Sequence, residues 1–437
     1  MKKIYIIFIN NSKLVDSQIE ITYSNEDIIL KINIFNLSNY ELVNNISKLN
    51  NIIKFYDQIK KINIIFNNKI DKLIINLIIT KLSNILYRFY PTTKEIKLYQ
   101  VDTDTHKLYQ IDNESINLMD ELTKYKNIVI EPNKNPDTYL EFIKSNVPPK
   151  YKLEVTTLTN NNFFPLTYNI GLGSNFNSYF VYISPNSPNP NNLDIFLIGK
   201  AVTYDAGGLN IKIKMMECMK IDMTGSAIIL SALRLLSTNN FDSNLNIHLL
   251  IPIVENMISS KSLKPGSVIE TMNGKKVEIV DTDAEGRLCI VDCIDWINKK
   301  LVTKPSKSLI IDIATLTGNT NHITSGISSI LMSNIPGIKY ANKLDNIGEK
   351  IGEYLDYLKI RREYMDMLLT PVADIKNINN NIKADCVIGG TFIHYFTNNE
   401  IPWIHIDLGV ATFVDSIPLS YGVNLIYEFL KNLEKID

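Results

Sequence analysis

The pattern of apolar and polar positions divides the chain into an N-terminal part and a longer C-terminal part. Up to about residue 125, short β-rich runs (IYIIFI, INIIF and EIKLYQV) alternate with candidate helices near 41–60 and 71–89. Runs of this length and composition, separated by amphipathic segments, are typical of an α/β module. We therefore predict a small N-terminal α/β domain over residues 1–125.

A proline-rich stretch follows this module. The segment NIVIEPNKNPDTYLEFIKSNVPPK contains two pairs of prolines, Pro132 and Pro136 on one side and Pro148 and Pro149 on the other. Prolines interrupt regular structure, and the residues between the two pairs have a helical pattern. We predict that residues 126–150 form a connector with one short helix.

From residue 151 to 437, nearly continuous apolar runs alternate with helical segments. Examples are LDIFLIGKAVTYD, NIHLLIPIVEN, SLIIDIATLTG and IPWIHIDLG as strands, and TGSAIILSALRLL as a helix. Strands without polar alternation are buried on both faces. The fold class predicted is α/β, with a mixed central sheet covered by helices on both faces. Sites in such sheets form beyond the carboxyl ends of the strands, where this chain places polar residues. These are Lys200, Asp205, Glu255, Asn256, Thr315–Gly318 and Asp407.

Composition narrows the range of partners. The chain has 437 residues, 45% hydrophobic and 21% charged, with a formal net charge of −1. This balance gives no electrostatic reason to expect nucleic acid or an anionic membrane as a partner. Four cysteines without a CxxC pair fit a reducing compartment, and the N-terminal apolar run is too short for a signal peptide. We expect a cytoplasmic protein that does not enter a membrane.

The most unusual stretch is VDTDAEGRLCI, residues 280–290, with Asp281, Asp283, Glu285 and Arg287 at every second position. The preceding KVEIV predicts a strand. If the extended form continues, Asp283, Glu285 and Arg287 point to one side, and Gly286 then lets the chain bend into a helix. Crowded carboxylates repel one another, so the stretch is either a solvated turn or a site that holds cations.

Two further segments add charged residues of the same kind. GKAVTYDAGGLNIK carries Lys200, Asp205 and Lys212 around a Gly-Gly loop, and MKIDMTGSA places Asp222 just before a helix. Asp222 alone is typical of a helix N-cap. The glycine pair is not followed by a P-loop pattern, and Asp205 would repel phosphate. A metal site assembled from all three segments is therefore a stronger hypothesis than any segment supports alone.

The three segments resemble the leucine aminopeptidase (cytosol aminopeptidase) family of two-metal exopeptidases. DTDAEGRL is similar to that family's N-T-D-A-E-G-R-L, GKAVTYDAGGLNIK to G-K-G-x-T-[FY]-D-[ST]-G-G-x-x-[IL]-K, and MKIDMTGSA to M-K-x-D-M-x-G-[AS]-A. ATLTG and WIHIDLG resemble further family blocks, in the same order. The resemblance covers residues 126–437 and implies a catalytic metallopeptidase domain at 151–437. Residues 1–125 would be a short, divergent, macro-like domain.

The resemblance also implies roles for single residues. Two divalent ions, Zn²⁺ and/or Mn²⁺, would balance four carboxylates. Lys212 would stabilise an oxyanion, and Arg287 would hold a bicarbonate ion that serves as the base. From the residues alone, salt bridges from Lys212 and Arg287 to the acids remain an alternative. The implied metal ligands are Lys200, Asp205, Asp222, Asp283 and Glu285.

The implied substrates are peptides with a free N-terminus, from which leucine and other apolar residues would be released. The substrate pocket would be formed by Met219, Thr315, Leu316, Gly318, Gly409 and Thr412. Gly409-Val410 and Thr412 differ from the family pattern, which predicts a wider pocket and broader acceptance. Asp281 replaces the signature asparagine and adds a negative charge beside the site. Family members commonly form hexamers, so a homo-oligomer is expected; a binding or scaffold protein built on that assembly is the alternative to a peptidase.

Overall fold

The computed structural model describes residues 3–9, 19–24, 27–33, 41–42, 44, 46–49, 61–67, 70–89, 95–101, 108–241, 244–301, 305–379, 381, 383–414 and 417–433. The chain forms two compact units. The first comprises residues 1–124 with 347–353, and the second comprises 125–346 with 354–437.

The first unit contains a six-stranded sheet with strand order β2-β3-β1-β4-β5-β6. Pairs β1/β3, β1/β4 and β4/β5 are parallel, and the outer pairs β2/β3 and β5/β6 are antiparallel. Its core is formed by isoleucine and leucine side chains of β1, β4 and the following helix α1. The elements are β1 Lys3–Ile9, β2 Ile19–Ser24, β3 Asp27–Asn33, β4 Lys61–Asn67, α1 Lys72–Phe89, β5 Glu95–Val101 and β6 Leu108–Gln110.

The strands and helices of this unit agree with the sequence predictions within the described residues. The three predicted strands are confirmed as β1, β4 and β5, and the helix near 71–89 is confirmed as α1. Residues 41, 42, 44 and 46–49 of the helix predicted near 41–60 are helical, and the remainder lies outside the described residues. Helix α2, Asn113–Ile130, follows β6, and α3, Pro136–Lys144, lies within the predicted connector.

The second unit is built on a nine-stranded mixed sheet, which confirms the predicted α/β fold class. Its order is β16-β15-β18-β14-β9-β11-β8-β7, with β10 paired to β11. Both faces of the central strands are buried, as their continuous apolar sequences predict. The strands are β7 Tyr151–Leu158, β8 Ser178–Pro185, β9 Leu193–Gly199, β10 Ala201–Asp205, β11 Leu245–Asn256, β14 Ser308–Ala314, β15 Ser329–Ser333, β16 Leu355–Tyr357 and β18 Trp403–Asp407.

Helices cover this sheet, and two smaller sheets adjoin it. The small sheets are β12-β13-β17 (Ser267–Glu270, Lys276–Ile279, Ile375–Lys376) and β19-β20 (Phe413–Val414, Ile417–Pro418). Short 3-10 helices occur at Met216–Ile221 and Pro305–Lys307. The remaining helices are α4 Pro165–Gly171, α5 Thr224–Thr238, α6 Gly286–Lys300, α7 Thr320–Thr324, α8 Ile338–Ile351, α9 Arg362–Asp366, α10 Asp385–His394 and α11 Val423–Leu433.

Parallel pairing brings the polar ends of five strands together. Gly199 pairs with Ile313, and Ala314 pairs with Asp407, so β9, β14 and β18 end at the same level. At the end of β10, Asp205 pairs with Asn256 of β11. Because parallel strands leave their carboxyl ends at one edge, the loops that follow them converge there.

One helical stretch, 216–238, is long and apolar enough to cross a membrane by length and composition. Most of it is buried inside this unit, and all but three of the residues of α5 are core residues. The stretch therefore has the burial of a core helix.

The carboxyl group of Asp292 in α6 caps the start of α4 from a distance. Its Oδ2 accepts hydrogen bonds from the Thr167 backbone nitrogen at 2.7 Å and from the Thr167 hydroxyl at 2.8 Å. The residue before α4, Phe164, has φ 54° and no side-chain cap of its own. Burial raises the pKa of Asp292 from its ordinary 3.8 to about 8, although the Thr167 hydrogen bonds lower it.

This raised pKa predicts a pH-dependent stability. The folded protein keeps a proton on Asp292 that the unfolded chain releases, so this contribution is complete below about pH 4 and is lost as pH rises through about 8. The free energy of unfolding should fall by up to about 1.4 kcal/mol per pH unit in that window because of this group. Asp292→Asn should remove this contribution to the fall of the free energy of unfolding with pH. Urea unfolding midpoints measured between about pH 5 and pH 8 provide the test.

Asp194→Asn is the control, because hydrogen bonds from His248 and Asn246 lower the pKa of the Asp194 carboxyl despite its partial burial. This variant should retain the fall of stability toward high pH. Identical slopes for wild type and Asp292→Asn would contradict the prediction.

Candidate active site

Lys200 lies at the centre of one half of the site. It follows β9 directly and is buried, with its Nζ 2.8 Å from both Asp222 Oδ2 and Glu285 Oε1. The Nζ also donates to the backbone oxygen of Thr315 at 2.9 Å. Gly286 is needed here because a Cβ at that position would lie 2.6–2.8 Å from the Lys200 side chain. The glycine in the acid stretch therefore provides space for a lysine from another strand.

Lys212 joins the other half of the site. Its Nζ lies 2.8 Å from Asp205 Oδ2 and 2.5 Å from Asp283 Oδ1. Asp205 is held in place by Asn256, whose Nδ2 donates to Oδ1 at 2.8 Å, and by the backbone nitrogen of Gly207 at 2.9 Å. The salt-bridge alternative from the sequence therefore describes the contacts of Lys212 correctly.

Asp222 connects the site to the loop after β14. Its Oδ1 accepts a hydrogen bond from the Thr315 hydroxyl at 2.8 Å. It lies between the 3-10 helix Met216–Ile221 and α5, and α5 has no side-chain cap at its start. The helix N-cap role that Asp222 suggests when considered alone is not observed.

The acid stretch is a turn, so the condition under which Asp283, Glu285 and Arg287 would share one side of a strand is not met. After β13 the chain turns through Thr282 and Asp283, and α6 begins at Gly286. The Asp283 backbone nitrogen donates to Asp281 Oδ1 at 2.8 Å, and the Thr282 hydroxyl donates to the Gly207 oxygen at 2.7 Å. These bonds take the place of strand pairing, for which the described residues offer no partner strand at this position. Asp281 thus accepts a local hydrogen bond that an asparagine oxygen could also accept.

The turn brings together the carboxylates that the sequence selected. Ligand oxygens of Asp205, Asp283 and Glu285 all lie within 4.8 Å of one another, and Asp222 reaches them through Lys200. Glu285 Oε2 is buried and has no hydrogen-bond partner among the described residues. A buried, unpaired carboxylate oxygen is costly unless a cation or donor reaches it.

The electrostatics of the cluster also favour a bound cation. Burial raises the pKa of Asp205 and Asp222, and burial together with Asp205 and Glu285 raises the pKa of Asp283 to about 7. Four carboxylates carry −4 and two ammonium groups carry +2, so the cluster takes up protons or further cations. The donor set of carboxylates with an amine suits Zn²⁺ or Mn²⁺ better than Mg²⁺.

The protonated Lys200 opposes metal binding at this site. Burial by itself lowers the pKa of Lys200, but attraction to Asp222, Glu285 and Asp205 outweighs it, and the pKa is raised. An amine must lose its proton before it can bind a metal. Metal binding through Lys200 would therefore release a proton, and metal affinity should increase with pH.

Arg287 points away from the acid cluster. Its Nη1 donates to the backbone oxygen of Asn377 at 2.9 Å, and its Nη2 donates to Asp385 Oδ1 at 3.0 Å. The side chain is buried, and Nε has no hydrogen-bond partner among the described residues. A planar anion that binds a guanidinium at two points needs two nitrogens along one edge. Asp385 accepts from one terminal nitrogen, and each terminal nitrogen has a second N–H.

A cavity of about 460 Å³ opens over the acid cluster. It is lined by Lys200, Asp205, Lys212, Asp222, Asp283 and Glu285, and by the predicted substrate residues Met219, Thr315, Leu316, Gly318 and Gly409.

Two predicted site residues, Arg287 and Thr412, do not line this cavity. Thr412 is buried, and its backbone oxygen accepts from the Leu419 nitrogen. Its place on the wall is taken by the neighbouring Val410 and Phe413. The pocket is therefore more apolar here than the threonine suggested.

Several lining and supporting residues were not singled out from the sequence. Ile213, Lys214 and Met215 line the mouth of the cavity, and the side chain of Ile213 is 90% exposed. The sequence does contain a pattern that could have identified this segment, because Leu209, Ile211, Ile213 and Met215 alternate with polar residues. Asn377 and Asp385 lie about ninety residues from the acid stretch and have no sequence signal of their own.

Comparison with known proteins yields one family and a consistent set of relatives. A sequence profile described as the catalytic domain of the cytosol aminopeptidase family matches residues 125–421. The probable cytosol aminopeptidase of Protochlamydia amoebophila is 35% identical over 61% of this chain and 53% of its own length. That of Rickettsia typhi is 30% identical over 79% of this chain and 72% of its own length.

Solved structures share the fold. The leucine aminopeptidase of Caenorhabditis elegans has a TM-score of 0.83 at 21% identity and covers 98% of this chain and 95% of its own. The bottromycin maturation enzyme BotP in complex with Mn has a TM-score of 0.81 at 19% identity, with 99% of both chains covered. The chain spans about half the length of several of the curated relatives that it matches, 53% and 48% in two cases.

Proposed function

Since this chain belongs to the cytosol aminopeptidase family, we propose that it is a metal-dependent aminopeptidase that releases N-terminal amino acids from peptides. The observation that carries the proposal is the convergence of four carboxylates and two lysines from three separate segments on one cavity. Structural ion pairs seldom gather this much like charge around an open space, whereas metal sites require it.

The residues present fit two divalent cations, Zn²⁺ and/or Mn²⁺. Asp205, Asp222, Asp283 and Glu285 would hold them with the Lys200 amine as a further ligand, and the unpaired Glu285 Oε2 offers a ready donor. When bound, such ions supply an activated water and polarise the scissile carbonyl group.

The chain's own groups would orient the substrate and stabilise charge. With both ions bound, the neutral α-amino group of a peptide could serve as a further ligand, which favours substrates with a free N-terminus. Lys212 faces the cavity and keeps its proton beside Asp205 and Asp283, because their attraction raises its pKa against the effect of burial. Its ammonium group is suited to stabilise the oxyanion that develops on the carbonyl oxygen.

We derive no step through bicarbonate, because the observed partners of Arg287 belong to the chain itself. Asp385 and the Asn377 oxygen already accept from both terminal nitrogens of Arg287, and only Nε lacks a partner among the described residues. Arg287 therefore acts here as a structural link between α6, Asn377 and Asp385.

The apolar lining predicts the preferred N-terminal residue. Met219, Leu316, Val410 and Phe413 offer apolar surface, on which a charged side chain would lose its hydration without gaining a partner. We expect kcat/KM for Leu, Met and Phe substrates to lie within about 10-fold of one another and to exceed Ala by about 10-fold or more. Aminoacyl-coumarin substrates provide the measurement, with Asp and Glu as the unfavourable cases. A strong preference for Leu alone would contradict the broad acceptance proposed here.

Chelation tests the function itself. Hydrolysis of leucine-7-amido-4-methylcoumarin should stop when the protein is treated with a chelator and should return when Mn²⁺ or Zn²⁺ is added. An N-acetylated leucine substrate is the control and should not be cleaved at any metal concentration, because it has no free amine. A folded, metal-loaded protein without activity on any N-terminal residue would refute the proposal.

Assembly and location are parts of the same proposal. A homo-oligomer, expected to be a hexamer, and a cytoplasmic location follow the resemblance to the family. Mass photometry addresses the first directly, because a monomer at all concentrations would rule out the oligomer.

A further inference from the structure

Asn377 is the most extensively bonded residue around the acid stretch. It lies directly after β17, is fully buried, and uses both ends of its side chain on the turn that carries Asp283 and Glu285. Its Oδ1 accepts from the Val280 nitrogen at 2.8 Å and from the Asp281 nitrogen at 3.3 Å. Its Nδ2 donates to the Asp281 oxygen at 2.6 Å and to the Ala284 oxygen at 3.5 Å.

The backbone of Asn377 extends the same network. Its nitrogen donates to the Glu278 oxygen in β13 at 2.9 Å, and its oxygen accepts from Arg287 Nη1 at 2.9 Å. One residue thus contacts the strand before the acid turn, the turn itself and the first turn of α6. The side chain of Asn377 thus bonds backbone groups on both sides of Asp283, up to Ala284, the residue before Glu285.

We propose that Asn377 is a positioning residue that sets the separation of Asp283 and Glu285 and thereby the metal affinity of the site. This inference rests on the proposed function only in taking these two carboxylates as metal ligands. No strand among the described residues pairs with the turn, and Asp283 is partly exposed. Without the Asn377 clamp, the two carboxylates would lose their fixed spacing, and a metal site tolerates little displacement of its ligands.

An amide is required at this position for a physical reason. The turn presents two N–H donors and two C=O acceptors, and an asparagine side chain matches them with two N–H donors and an oxygen with two lone pairs, whereas a serine hydroxyl has a single donor. Asn377→Asp would place a carboxylate against the Asp281 and Ala284 oxygens and add a further negative charge beside the cluster. Asn377→Ala would leave all four backbone groups without this partner.

Asn334 offers a matched control in the same unit. It is also buried, and its Oδ1 accepts from the Gly337 and Trp403 nitrogens while its Nδ2 donates to the Ile401 oxygen. None of these partners belongs to the acid stretch. Asn334→Ala therefore removes a comparable buried clamp without touching the metal ligands.

The test measures Mn²⁺ binding to the full-length protein by titration calorimetry, together with the thermal midpoint of the metal-free protein. Asn377→Ala and Asn377→Asp should weaken Mn²⁺ binding by about 10- to 100-fold, the range seen when supporting residues of metal ligands are removed. Asn334→Ala should lower the thermal midpoint similarly but bind Mn²⁺ as the wild type does.

The outcomes separate this inference from the proposed function. Wild-type affinity in both Asn377 variants overturns the inference, even if the protein is an active aminopeptidase. Equal loss of Mn²⁺ affinity in Asn334→Ala also overturns it, because the effect would then be one of general stability. Weaker binding confined to the Asn377 variants supports it, even in a protein that lacks peptidase activity.

Discussion

Glu285→Gln is expected to reduce kcat/KM for an aminoacyl substrate by about 10³-fold or more while the protein stays folded. Glutamine keeps the shape of the side chain but removes one of the three carboxylates that lie within 4.8 Å of one another, the others being Asp205 and Asp283. Lys200 would keep its contacts with Asp222 and the Thr315 oxygen, so the local packing has a reason to survive. The metal content per subunit, measured by mass spectrometry, should fall together with activity.

Glu278→Gln is the matched control for this substitution. Glu278 precedes the same turn in β13 and accepts a hydrogen bond from the Thr370 hydroxyl, away from the cavity. Its substitution should leave kcat/KM within about twofold, since changes away from such sites usually have small effects. Full activity in Glu285→Gln would remove the central element of the proposed function.

Substitution of the two lysines should have different effects. Lys212→Met should lower kcat by about 10²- to 10³-fold with the metal content retained, because it removes a charge that acts on the developing oxyanion. Lys200→Met should instead lower the metal content, because the buried Lys200 lies between Asp222 and Glu285. Steady-state kinetics and metal analysis of both variants provide the measurement.

Lys214→Met serves as the control for the lysine pair. Lys214 lines the same cavity but is exposed at its mouth. Its substitution should change KM more than kcat and should leave the metal content intact. Equal loss of metal in the Lys200 and Lys212 variants would show that both lysines support the cluster in the same way, and the separate roles proposed for them would be wrong.

The fold class was predictable because it depends on local patterns. Short apolar runs rich in isoleucine, such as those of β9, β11, β14 and β18, are typical of strands buried on both faces, and their alternation with helices implies a covered sheet. The conformation of the acid stretch, extended or turned, could not be decided from its own residues. Whether a strand continues depends on a pairing partner, and after Ile279 the hydrogen bonds come from Thr282, Asp281 and the distant Asn377 instead.

The sequence by itself determined which residue types could form the site. Carboxylates and lysines at short spacings in three segments identify the chemistry, because the ligands of a metal must be donors of a few kinds held close together along short loops. The tertiary structure alone decided which groups meet. Arg287 turns from the acids to Asp385, Phe413 lines the cavity while Thr412 is buried behind it, and Asn377 clamps the turn. The contacts that decide these outcomes join residues far apart in the chain, up to 98 positions in the case of Arg287 and Asp385. Local sequence patterns cannot predict such contacts.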